Sequence, residues 1–180
     1  MSPAEEHLFS ETPPGYLLLD TNFVVATLVA GDPRHEECLS FAGRLQDAGT
    51  VIAYSTLLRL EHLNAWRNLL KDGLLPPEPG PQLRLELNVA EDDRSHWLRV
   101  ADILLGQFLA QFPRTEIRLN QRVVSLAIEL VGRFNLQSYD AVHVASAFHA
   151  GCTDIASLDK DFRRVDGIHL WNNRLRPRAK

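Results

Sequence analysis

Leu17-Leu18-Leu19-Asp20-Thr21-Asn22 is the stretch on which the reading of the fold turns. Three successive leucines show no alternation of apolar and polar residues, which suits a strand buried on both faces of a parallel sheet. A second apolar run, Phe23 to Val29, follows at once, so Asp20 falls at a strand-to-helix turn. Functional groups of open parallel sheets gather at such carboxyl ends. A carboxylate there either caps the next helix, by accepting from its free N–H groups, or takes part in chemistry. Taken alone, Asp20 reads as the cap.

Working outward, Tyr16 to Asp20 is the first strand and Thr21 to Ala30 the first helix, stopped by Gly31-Asp32. Pro33 opens a second helix to about Gln46, with Cys38, Phe41, Ala42 and Leu45 at helical spacing. Ala48-Gly49 then turns the chain into a short strand, Thr50 to Ala53. Ser55 is placed to cap a third helix with apolar positions Leu57, Leu58, Leu60, Leu63 and Trp66. The proline-rich run from Lys71 to Pro81 cannot be regular structure, and the alternation of Leu83, Leu85, Leu87 and Val89 suggests an extra, partly exposed strand. Residues 71–94 therefore read as an insertion.

Beyond it, Ser95 caps a helix over Trp97 to Gln111, and Thr115 to Leu119 is strand-like. Asn120 caps a helix with Val123, Val124, Ala127, Ile128 and Val131 at core spacing, ending near Asn135. Ser138 begins another helix, Tyr139 to Ala150, which Gly151 ends; Asp154 to Ser157 and Ile168 to Trp171 are the last strands. Helix-then-strand crossovers without hairpin signals imply an α/β fold whose parallel sheet is covered on both sides. The polar residues 1–14, ending in Pro13-Pro14, read as an extension that is poorly ordered or packed on the outside. Residues 15–172 form one domain, and 173–180 are a basic tail.

At 180 residues and 45% hydrophobic, the chain can bury one sizeable core. Its two cysteines, Cys38 and Cys152, have no metal-like spacing and suit a reducing cytoplasm better than a disulfide scaffold. The first residues lack a secretory pattern and no apolar run approaches the ~20 residues that span a bilayer, so a soluble, cytoplasmic protein is expected. A net charge of −4 excludes a surface that is basic throughout, yet it leaves room for local basic patches around an acidic site.

Four acids stand out. Asp20 follows the first strand, Glu61 interrupts the apolar face of the third helix, Asp140 lies in the first turn of a late helix, and Asp159 follows the strand at Asp154 to Ser157. Each has a plain explanation: Glu61 could pair with Arg67 or another surface base, and Asp140 could serve the helix dipole. In a parallel sheet, however, these strand ends and helix starts share one edge. Four carboxylates there repel unless a cation neutralises them. Hard oxygen ligands select magnesium (Mg2+) or manganese (Mn2+) rather than zinc, and magnesium completes its shell with substrate phosphate oxygens. That combination points to phosphodiester hydrolysis.

The motifs Leu-Leu-Asp-Thr-Asn (18–22), Ser-Thr-Leu-Leu-Arg-Leu-Glu ending at Glu61, Phe-Asn-Leu-Gln-Ser-Tyr-Asp-Ala-Val-His-Val-Ala-Ser-Ala (134–147) and Ser-Leu-Asp-Lys-Asp-Phe (157–162) resemble a PIN domain, particularly the VapC-type toxins. The resemblance spans residues 16–171. It implies a three-layer α/β/α sandwich with a five-stranded parallel sheet, and magnesium-dependent endoribonuclease activity. It also implies a homodimer, and inhibition by a small antitoxin protein. By the same resemblance Asp20, Glu61, Asp140 and Asp159 bind the metal and carry catalysis, Asp161 is an alternative or outer acid, and Thr21, Asn22 and Ser157 orient them. Ser157 stands where the family usually has Thr, a change that keeps the hydroxyl.

His143, one turn after Asp140, reads as a buried or bridging side chain ahead of a substrate contact. His35, His62, His96 and His149 show no ligand spacing. Arginines such as Arg59, Arg67, Arg163 and Arg164 could hold RNA phosphates, although each alone reads as solvated surface. An aspartyl phosphatase would need a second acid where Asn22 stands. The remaining alternatives are a PIN-like scaffold without catalysis that binds RNA or protein, and a housekeeping PIN nuclease with no antitoxin.

Overall fold

The computed structural model describes residues 3–71 and 94–173. The expected strand at Leu83 to Val89, most of the insertion and nearly all of the basic tail lie outside these residues. The elements are β1 (Glu5–Leu8), β2 (Tyr16–Leu19), α1 (Thr21–Leu28), α2 (His35–Asp47), β3 (Val51–Ser55), α3 (Leu57–Lys71), α4 (Arg94–Ala110), β4 (Arg114–Ile117), α5 (Gln121–Phe134), α6 (Ser138–His149), β5 (Asp154–Ala156), a 3-10 turn (Lys160–Arg164) and β6 (His169–Asn172). Among the described residues the strands form one sheet in the order β1-β6-β5-β2-β3-β4, every neighbouring pair parallel. Helices cover both faces, giving a three-layer α/β/α sandwich.

The leucine run explains itself in this setting. Leu17 and Leu19 pack on one face with Phe23, Phe41, Ile52, Phe108 and Trp171, whereas Leu18 packs on the other with Val144, Ile155 and Leu170. All three leucines are fully buried. Each such side chain contributes about 1.5–3 kcal/mol relative to exposure, which is why β2 tolerates no polar position before Asp20. A third cluster, built on Val29, Trp66 and Ala101, clasps α1, α3 and α4 together. His62 strengthens it by bonding the Ala101 carbonyl at 3.1 Å, and burial pushes its imidazole down to about 4.

Several boundaries differ from expectation. The sheet has six strands and not five, because residues 5–8 of the supposed outer extension pair with β6 in register from Glu5↔His169 to Leu8↔Asn172. Phe9 then enters the core, stacked on Phe41 at 4.4 Å, and Arg44 bonds the Phe9 and Glu11 carbonyls. The polar look of Glu5 and Glu6 is that of an edge strand. Ser55 is no cap: it is the last residue of β3, and its buried hydroxyl has no partner among the described residues. Ser95 lies inside α4, which already starts at Arg94. On α5 the core face is Val123, Ala127 and Leu130, while Val124, Ile128 and Val131 are exposed. The helix is rotated relative to the core set expected from spacing.

The expected ends hold elsewhere. Asn120 caps α5, its side chain accepting from Arg122 N and Val123 N, and Asn135 closes it in the left-handed conformation at φ 51°. No helix among the described residues is long and apolar enough to cross a membrane.

Candidate active site

Asp20 leaves β2 with its N–H on the Ala156 carbonyl of β5, so two adjacent strand ends hold its backbone. Its carboxylate does cap α1, accepting from Thr21 N at 2.7 Å through Oδ1. Oδ2 is spoken for as well, by the Ser157 hydroxyl at 2.6 Å. Ser157 links two acids: the same Oγ accepts from the Asp159 N–H at 3.0 Å. Asn22 completes the brace, its Oδ1 accepting from Leu158 N at 2.9 Å and its amide bonding Ser157 Oγ at 3.3 Å. The expectation that Thr21, Asn22 and Ser157 steady the acids thus has a physical form.

Glu61 comes from α3. Its Oε2 accepts from the Thr21 hydroxyl at 2.7 Å and from His143 Nε2 at 2.5 Å, and exposed Arg67 is not its partner. His143, fully buried on α6, also sets Nε2 3.6 Å from Asp20 Oδ1. The expected bridging histidine therefore joins two of the four acids. Asp140 begins α6 and lines the same cleft as Asp20, Thr21, Asn22 and Glu61, an open cavity of about 540 Å³. Asp159 caps the 3-10 turn by accepting from Asp161 N at 2.8 Å, and its charge is felt at Asp140. Asp161 is turned to Arg164, at 2.6 Å.

Burial raises the Asp20 carboxyl above its ordinary value, with His143 and the Ser157 hydroxyl opposing and Glu61 adding to the rise. For Glu61, burial also acts upward, but the His143 hydrogen bond and charge and the Thr21 hydroxyl outweigh it, and the group sits below its ordinary value. His143 loses by burial and gains more from Glu61, Asp20 and Asp140, so it favours the imidazolium. Asp140 is pushed up to about 7 by burial and then by the charges of Asp20, Asp159 and Glu61.

These charges decide whether a divalent cation suits the site. One imidazolium does not balance four carboxylates, and that excess of negative charge adds to burial in holding Asp140 at about 7. The donors are oxygens, the set that magnesium or manganese prefers. Among the described residues no group of three or more His, Cys, Asp or Glu already stands at ligating spacing. The donor chemistry of the four carboxylates fits such a cation.

Reading by spacing missed the remainder of the cleft wall: Leu60, Asn64 and Asn68 on α3, Tyr139 beside Asp140, and an Asp32–Arg34 pair on the rim. The signal was present, since Leu57, Leu60, Glu61, Asn64, Ala65 and Asn68 share one helical face.

A parallel sheet between two helical layers, with acids from β2, α3, α6 and the turn after β5 drawn to one edge, defines the class. Residues 17–168 match the model of the PIN domain, and the chain belongs to that family. Among solved structures it is similar to VapC20 of Mycobacterium tuberculosis, described as a sarcin-ricin loop cleaving toxin, at 19% identity over 89% of this chain and 99% of that one, with a TM-score of 0.55. It is also similar to FitAcB from Neisseria gonorrhoeae, at 16% identity over 87% and 97% of the two chains, TM-score 0.54. At such identities the likeness is one of fold. No curated protein matches the chain in sequence.

Proposed function

We propose that the chain is a divalent-metal-dependent endoribonuclease and the toxin of a toxin–antitoxin pair. The observation that carries this is the joint presence of Asp20, Glu61 and Asp140 on one open cleft, with Asp159 close enough to raise Asp140. The toxin named among the similar structures supports the direction of the reading. Asp20, Glu61, Asp140 and Asp159 would hold magnesium or manganese, with Asp161 outside them. Held by these residues, such a cation would supply Lewis acidity to a water and to the leaving oxygen of a phosphodiester.

The chain's own residues prepare that chemistry. Ser157 and the Thr21 N–H hold both oxygens of Asp20, so its carboxylate cannot swing freely. The Thr21 hydroxyl and His143 fix Glu61 through one oxygen, leaving Oε1 for a ligand. Asp140, pushed up to about 7 by burial and then by its acidic neighbours, is only partly ionised near neutrality and would give up its remaining proton when a cation binds. A small antitoxin, a homodimeric state and a cytoplasmic location belong to the same proposal.

One observation favours a second reading. His143 already places positive charge between Glu61 and Asp20, as a catalytically silent PIN scaffold that only binds RNA or protein would require. Incubating purified protein with RNA, in magnesium and in chelator, beside Asp20→Asn separates the two. Cleavage that needs magnesium and falls by about 100-fold or more in Asp20→Asn is expected, in line with the cost of disturbing a metal site. Equal cleavage by the variant or in chelator sinks the mechanism, and binding without cleavage selects the scaffold. A small upstream reading frame whose product suppresses cleavage makes the chain a toxin; its absence leaves a nuclease that acts without an antitoxin.

A further inference from the structure

We propose that Tyr139, Leu60, Asn64 and Asn68 form a nucleobase subsite in the cleft, which takes an unpaired base of single-stranded RNA beside the acids. The proposal rests on the nuclease reading of the same cleft and says what part of the substrate the cleft grips.

The wall has an unusual composition for a surface that meets a polyanion. Its guanidinium, Arg34, is committed to Asp32 through Nε and Nη2, each at 3.0 Å, and Asp32 also accepts from the Arg34 backbone N–H at 2.8 Å. Among the described residues, the lining apart from the acids, Thr21 and the Asp32–Arg34 pair is apolar, amide or the Tyr139 ring. Tyr139 is 60% exposed and Leu60 64% exposed, although both line the cleft. A large apolar side chain left in water at the mouth of a polar cavity marks a surface built for contact. Asn64 and Asn68 carry amides that have no hydrogen-bond partner in the structure among the described residues.

Their placement follows from the helix. Leu60, Asn64 and Asn68 recur at one-turn steps along α3, on the face that also carries Glu61. Tyr139 immediately precedes Asp140 at the start of α6. The aromatic and amide groups are thus fixed by rigid helices to the two acids they adjoin. A flat aromatic ring and a leucine offer stacking surface to any base, and an amide offers one donor and one acceptor to a base edge. In a duplex those faces are stacked and those edges paired, so only an unpaired base can use this wall. Phosphate oxygens would find little there, because the amides are neutral and Arg34 is engaged.

The test separates base from backbone and is independent of cleavage. Asp20→Asn protein is titrated, in chelator, into fluorescently labelled eight-nucleotide RNA, the same strand in duplex, and an abasic strand of equal length. Single-stranded RNA is expected to bind best. Added to that protein, Tyr139→Ala should weaken binding by about 10- to 100-fold, the loss typical of one base–aromatic stack, while Tyr139→Phe stays within about twofold. Asn64→Ala with Asn68→Ala should weaken it further and narrow the differences between homopolymers. Because Tyr139 is exposed, its replacement leaves the core intact. Equal affinity for the abasic strand or the duplex, or no effect of Tyr139→Ala, overturns the subsite. Its failure is distinguishable from that of the nuclease reading. Wild-type cleavage that is indifferent to Tyr139→Ala removes the subsite alone, and Tyr139-dependent binding with no cleavage in magnesium removes the nuclease alone.

Discussion

At the residue scale the decisive side chain is His143. It favours the imidazolium, bonds part-buried Glu61 and stands within ion-pair distance of buried Asp20. Removing one member of a buried charge set leaves the others uncompensated, at a cost of about 3–5 kcal/mol. His143→Leu is therefore expected to destabilise the metal-free protein by that order, measured by urea unfolding at pH 6 in chelator. A loss below about 1 kcal/mol would show that the acids are neutralised by other means. The sequence made His143 legible as a bridging residue but not its partners, because nothing in chain order joins α6 to α3. Asp20 was legible as a helix cap, and its role as a metal ligand belongs to the proposal. It caps α1 as its position required, and the same carboxylate lines the cleft.

At the scale of elements, strong local signals survived and tertiary ones did not. Asn120 and Asn135 bound α5 because an N-cap and a left-handed residue act on the backbone next to them. Ser55 and Ser95 offered the same side-chain chemistry but do not stand at the helix starts expected of them, since the sheet extends β3 through Ser55 and α4 begins before Ser95. β1 was invisible as a strand. It is short and polar, and it is defined by what it pairs with, at the far end of the chain. Its anchor is Phe9, stacked on Phe41 and edge-on to Phe23 in the core. Phe9→Ala should cost about 3–5 kcal/mol, read as a lower midpoint in denaturant, with RNA cleavage retained at temperatures where the protein stays folded. Stability equal to the wild type would mean that β1 is a passive cover.

At the scale of the whole molecule, the acid edge sets how stability depends on pH. Asp140 is raised from 3.8 to about 7, so its contribution is fully present below 3.8 and is lost as pH rises through about 7. His143 is raised above 6.5 and acts in the same sense: its contribution is complete below 6.5 and is lost as pH rises through its folded value. Glu61 is lowered from 4.5, so its contribution holds above 4.5 and fails as pH falls through the folded value. The metal-free protein should therefore melt at progressively lower temperature between pH 5 and pH 8. Asp140→Asn should flatten that slope. Magnesium should raise the melting temperature of the wild type more at pH 7.5 than at pH 5.5, because binding has less protonated Asp140 to compete with. A slope unchanged in Asp140→Asn would remove Asp140 from this account.

The sequence by itself determined the layered α/β plan and the central strand. An uninterrupted Leu17-Leu18-Leu19 can be buried only between two covered faces, and acids at strand ends and helix starts must then share an edge. Those are consequences of period and of local hydrogen bonding, which a linear chain carries on its face. Only the tertiary structure decided the sixth strand, the rotation of α5, the His143 bridge, the turn of Asp161 toward Arg164, and the wall of Tyr139, Leu60 and two amides facing the acids. Each of these depends on which distant residues meet. That is settled by the packing of the whole core and by the balance of charge at one buried edge.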